Sequence, residues 1–117
     1  MAEVRVVNRG KKLTTTSATT LYTCPNHAKA VVGTMTFTNT GGSDATLTLD
    51  WVDKTDSSTA ASSEVFVIFK EKPIKAGKTV HLDLNKVLEK QDYLRGTASG
   101  ANLFEISLSI EEKSIQS

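Results

Sequence analysis

The sequence predicts an all-β domain: a single antiparallel β-sandwich, immunoglobulin-like or jelly-roll-like, of about seven to eight strands. Three observations carry this expectation. Apolar residues recur with period two and almost nowhere with a helical period. Turn-forming residues punctuate the chain at the spacing of short strands. Threonine, β-branched and suited to a pleated, half-exposed surface, is concentrated in "LTTTSATTLYTCPNHAKAVVGTMTFTNTGG", residues 13–42.

The elements follow in order. Residues 1–12 read as an N-terminal segment, a contact arm or a first strand, ahead of a sandwich domain over residues 13–117. Its Val4, Val6 and Val7 are candidate subunit contacts, because an extended segment can add as a strand to an adjacent chain. Arg9, Lys11 and Lys12 form the one compact basic group, expected to be a solvated, frayed terminus. In residues 33–38, Thr34, Thr36 and Thr38 alternate with Gly33, Met35 and Phe37. In "ATLTLDWVD", Leu47, Leu49 and Trp51 share one face, opposite Thr46, Thr48 and Asp50. "EVFVIFK" is apolar on both faces, which suits a central strand or one whose outer face meets a partner; Phe66 and Ile68 are its candidate contacts. "KTVHLDL" turns Val80, Leu82 and Leu84 inward, and "NLFEISLSIEE" does the same with Phe104, Ile106, Leu108 and Ile110. Such alternation belongs to antiparallel strands with one wet face.

Turns are expected at Pro25-Asn26, Asn39–Gly42, Ala76-Gly77 and Ser99-Gly100, with a polar hairpin loop at Thr55–Ser63. "LNKVLEKQD" is the one place for a helical turn, or equally a loop that ends a strand. A chain of 117 residues fits one domain and can bury roughly two thirds of its unfolded surface without staples.

The composition narrows the function classes. A formal net charge of +1 gives no electrostatic footprint for nucleic acid or an anionic membrane. No stretch approaches the apolar length of a membrane helix. The start lacks the apolar region of a signal peptide, and Cys24, the single cysteine, excludes an intrachain disulfide framework. A reducing cytoplasm is the expected place of synthesis.

Catalytic and metal constellations are not assembled. Cys24 and His27 have the spacing of half a zinc site, with His81 a remote third ligand, but a structural site needs a convergent set of four. Asp50, Asp53 and Asp56 lack the glycine and terminal glutamate of a calcium loop. There is no G-x-S-x-G and no glycine-rich phosphate loop. Trp51, Tyr22 and Tyr93 could form a sugar-binding platform, although Trp51 shares its face with Leu47 and Leu49 and so reads as core. No catalytic residue, metal ligand or cofactor is assigned, and the chain is expected not to be an enzyme.

The motifs taken together have a family likeness. "LTTTSATTLYTCP", "AVVGTMTFTNTGG", "PIKAGKTVHLDL", "VLEKQDYLRGTAS" and the terminal "LFEISLSIEE" occur in that order from about Leu13 to Glu112. This succession resembles small β-sandwich virion structural and accessory proteins of tailed bacteriophages. Their shared pattern is a threonine-rich start leading to "LYT-P", a strand ending "TNT", a "P-I-x-A-G" approach, and an "L-x-x-x-D-x-L-x-x-x-A" segment. One departure falls at Lys90-Gln91-Asp92, where such proteins often carry glycine before the aspartate. The resemblance implies a non-enzymatic virion component, foremost a capsid decoration protein on the outer shell. Its partners would be the major capsid protein or other virion subunits, and it would be a homo-oligomer, with a trimer favoured. A neck, tail or fibre-attachment component and a carbohydrate-binding sandwich are the alternatives.

Overall fold

The computed structural model describes residues 4–54 and 64–114. They form eight strands: β1 (Val4–Leu13), β2 (Thr19–Thr23), β3 (Ala28–Asn39), β4 (Ala45–Asp53), β5 (Glu64–Ile74), β6 (Thr79–Leu88), β7 (Tyr93–Ala98) and β8 (Phe104–Ser114). All pairings are antiparallel. One sheet has the order β1-β8-β3-β6 and the other β2-β7-β4-β5. The pairing is nested: β1 with β8, β2 with β7, β3 with β6, β4 with β5. This is one long hairpin rolled over onto itself, the jelly-roll arrangement. An immunoglobulin-type sandwich sets its first two strands side by side in one sheet, whereas here β1 and β2 lie in opposite sheets.

The inner faces meet in a core built by the predicted alternation. Along β8, Phe104, Ile106, Leu108 and Ile110 are buried while Glu105, Ser107, Ser109 and Glu111 are exposed. Met35 and Phe37 of β3, Leu47 and Leu49 of β4, and Leu94 of β7 are fully enclosed, and the Phe37 ring meets Phe69 edge-on at 5.4 Å. A fully enclosed phenylalanine contributes about 2–3 kcal/mol by removal from water.

Bulges break the alternation at positions that carry no local signal of it. β4 shifts register against β5 between Leu49 and Asp50. Trp51 nevertheless keeps to the inner face, in register with core Leu94, and is half-buried at the rim. The stretch "EVFVIFK" is not a central strand: β5 is an edge, paired to β4 alone. Its apolar residues on both faces reflect an inward row at the rim and an outward row, Val65 and Val67, left exposed. The segment "LNKVLEKQD" holds no helical turn; β6 runs extended to Leu88, and a tight turn follows. Arg9, Lys11 and Lys12 do not fray, because β8 offers β1 a full ladder from Val4 to Leu13. The expected loop Thr55–Ser63 lies outside the described residues.

Buried polar residues organise the turns. Asn39, wholly enclosed, donates from Nδ2 to the carbonyls of Ser43 and Ile74, both at 2.9 Å, and its Oδ1 accepts from Gly41 N at 2.9 Å. Asp92 accepts from Lys54 N at 2.9 Å and Glu89 N at 3.1 Å, tying the end of β4 to the β6–β7 turn. That turn closes with Gln91 at φ 70°, a left-handed conformation that favours glycine.

Candidate functional site

The residues that bear chemistry fall into three places. The first is interior. Tyr22, from β2, donates its hydroxyl to Glu112 Oε2, and Arg5, from β1, donates from Nε to Glu112 Oε1 at 3.1 Å. Glu112 is buried on the inner face of β8, so this trio bolts the two sheets together at one end. Burial works against the charged carboxylate. The hydrogen bonds from Tyr22 and Arg5 and the charges of Arg5 and Arg9 outweigh it, leaving Glu112 below its ordinary value. The Tyr22 hydroxyl is driven the other way, first by burial and then by its bond to Glu112. Nearby, the buried Cys24 thiol points at the Ala28 carbonyl, 3.2 Å away. Burial, then the charges of Asp92 and Glu112, push it up to about 11. A thiol so buried and protonated is a poor nucleophile at neutral pH.

His27 sits on an exposed turn and His81 on the outer face of β6, so neither joins Cys24. Among the described residues no three His, Cys, Asp or Glu side chains converge as metal ligands. Asp50 is buried in an ion pair with Arg95 at 3.1 Å, and Asp56 lies outside the described residues.

The second place is the rim between β5 and β6. Phe66 stacks on Trp51 with centroids 4.9 Å apart, and Lys86 of the facing sheet sets its Nζ 3.5 Å from the Trp51 ring centroid. Tyr22 also faces inward, in register with Leu94, but Tyr93 pairs with Val52 on the opposite face. The three aromatics therefore make no common sugar platform.

The third place is the outer face of the sheet β1-β8-β3-β6. Its upper rows are hydroxyls. Thr36 and Ser107 are hydrogen-bonded across β3 and β8, and the Thr38 and Thr79 hydroxyls are 2.9 Å apart. A lower row runs across all four strands as Val6, Glu111, Val31 and Val87. Its valines are 73%, 38% and 52% exposed. Val4, Lys113 and Lys29 make the next row. Beside the valines is a groove of about 310 Å³ over Gly33, Thr34, Asn85 and Ser109. Two bulges open it: β3 carries an extra residue against β8, and β6 another against β3, with Asn85 at φ 49°.

The five candidate contacts do not form one surface. Val4 and Val6 are exposed at the β1 edge, Val7 is in the core, and Phe66 and Ile68 belong to the β5 rim at the diagonally opposite corner. Two of the four edge strands, β1 and β5, are guarded. β5 carries Lys70, Lys72, Pro73 and two register shifts, and β1 carries Arg5, Arg9, Lys11 and Lys12, devices that discourage strand addition. Sequence reading missed the Val31–Glu111–Val87 row, because bulges at Gly33 and Asn85 hide which residues share it.

This fold defines the class: a single jelly-roll sandwich. No protein-family model matches the chain, and no curated protein matches it in sequence. Among solved structures, a chain of the T13 IBDV viral particle matches with a TM-score of 0.59 at 11% identity, covering 98% of this chain and 31% of that one. The VP2 subviral particle of infectious bursal disease virus gives 0.52 at 10% identity, over 98% of this chain and 33% of that one. A Bacillus endospore appendage, from a family of disulfide-linked pili, gives 0.51 at 11% identity, over 99% of this chain and 89% of that one. The chain thus spans about a third of the length of the viral chains it matches. At such identities the likeness is one of fold alone.

Proposed function

We propose that this chain is a non-enzymatic structural subunit of a bacteriophage virion, placed on the outer capsid surface as a decoration protein bound to the major capsid protein. The observation that carries the reading is the nested eight-strand fold, which aligns over 98% of the chain with part of a viral particle protein. The motif order that resembles tailed-phage virion proteins supports the phage placement. The spore pilus is an assembly too, but one linked by disulfides. Here the one cysteine is buried and hydrogen-bonded inward, so assembly through Cys24 has no accessible thiol.

A self-associating subunit fits the surface, which leaves valines exposed on two outer faces. A trimer is the form that the three-fold positions of a shell would take. Sedimentation of the purified protein with heads of the virus that encodes it tests the placement. Saturable co-sedimentation with heads is expected. Binding to isolated tails alone moves the subunit to the neck or tail, and binding to neither overturns the reading.

A further inference from the structure

We infer that the outer face of the sheet β1-β8-β3-β6 is a contact surface for a second copy of this chain, related by a two-fold axis. The inference rests on the reading of the chain as an assembling subunit and names the surface it would use.

Three features of the face point to an occupant of this kind. The row Val6–Glu111–Val31–Val87 is apolar on both sides of a single carboxylate. Glu111 is exposed and has no ion-pair partner among the described residues. The adjoining row carries Val4, Lys113 and Lys29, likewise exposed, and neither lysine has a carboxylate partner. The β8 and β1 positions of the two rows are therefore complementary at an offset of one row, Glu111 to Lys113 and Val6 to Val4, while Val31 meets the aliphatic stem of Lys29. A two-fold axis lying in the interface along the row direction, between these two rows, sets Glu111 over the partner's Lys113 and Val6 over the partner's Val4. Each relation occurs twice, as an isologous contact requires. The axis that instead places a row over its own copy sets Glu111 against Glu111, so charge selects the offset arrangement.

Position favours it as well. Glu111 and Lys113 lie on β8 and Val31 and Lys29 on β3, the two central strands of the sheet. Stacked sheets cross at about 30°, which displaces peripheral rows more than central ones. The guarded edges of β1 and β5 disfavour strand addition at those two strands. Neighbouring trimers would meet through such a contact at the local two-fold axes of a shell.

Charge reversal at exposed positions tests this without touching the core. Sedimentation velocity up to about 1 mM is the readout, since interfaces of this limited extent are weak. The native chain is expected to show a mass-doubling step. Glu111→Lys alone and Lys113→Glu alone should each weaken that step by at least about tenfold. The double variant, and an equimolar mixture of the two single variants, should restore it. Absence of the step in the native chain, single variants that associate normally, or failure of both restorations would each overturn the contact. If the reversals abolish binding to heads but leave self-association unchanged, the face docks on the shell instead; the two-copy contact is then wrong and the proposed function stands.

Discussion

Replacing Tyr22 by phenylalanine tests the interior bolt between the sheets. The substitution keeps the ring in its place and removes only the hydroxyl that donates to Glu112. Glu112 is 4% exposed, so water cannot replace the lost donor readily. A hydrogen bond to a buried charged group contributes about 1.5–3 kcal/mol, and about 2 kcal/mol is the expected loss. With a urea slope of about 1–1.5 kcal/mol/M for a chain of this size, the unfolding midpoint should fall by roughly 1.5 M. Fluorescence of Trp51, the single tryptophan and half-buried in the fold, reports the transition. The pH dependence adds a sign. Glu112 is held below its ordinary value when folded, so its contribution is complete above the unfolded carboxyl value, about 4.3. It is lost as pH falls through the lower folded value. The gap between native and Tyr22→Phe should therefore be full at pH 7 and shrink toward pH 3. A gap under about 0.5 kcal/mol at pH 7, or one that does not shrink in acid, would refute the argument.

Phe37→Ala, at a fully enclosed position beside Phe69, should cost about 3–5 kcal/mol in urea unfolding. Gln91→Gly should stabilise by about 0.5–1 kcal/mol, because it relieves a left-handed residue at the β6–β7 turn; Gln91→Val should do the opposite. The Cys24 thiol, pushed up to about 11 and buried, should resist alkylation at pH 8 in the native protein and react fully in urea, as read by mass spectrometry. Asn39→Ala should cost about 2–3 kcal/mol, since it strips the Ser43 and Ile74 carbonyls and Gly41 N of their partner.

Strand existence was legible because period two survives wherever one face is wet, as along β8. Pairing was not, because nothing local in β1 tells that its partner is β8, a hundred residues away in sequence. Two of the motifs singled out in the sequence are turn organisers. The asparagine of "TNT" is the buried Asn39, and the aspartate of the "L-x-x-x-D-x-L-x-x-x-A" segment is Asp92, with Leu88, Leu94 and Ala98 buried around it. Gln91 takes the left-handed position where glycine is absent, so the turn forms at some strain. The surface was least legible. Exposed valines on β3 and β6 look like any other strand valines until the bulges at Gly33 and Asn85 align them with Glu111.

On the proposed function, electron cryo-microscopy of the virus that would encode this chain, with its particle proteins identified by mass spectrometry, tests the assignment most directly. The virion reading predicts density for a single eight-stranded jelly roll repeated in register with the outer capsid lattice. Particles that lack both the chain and such density would contradict it.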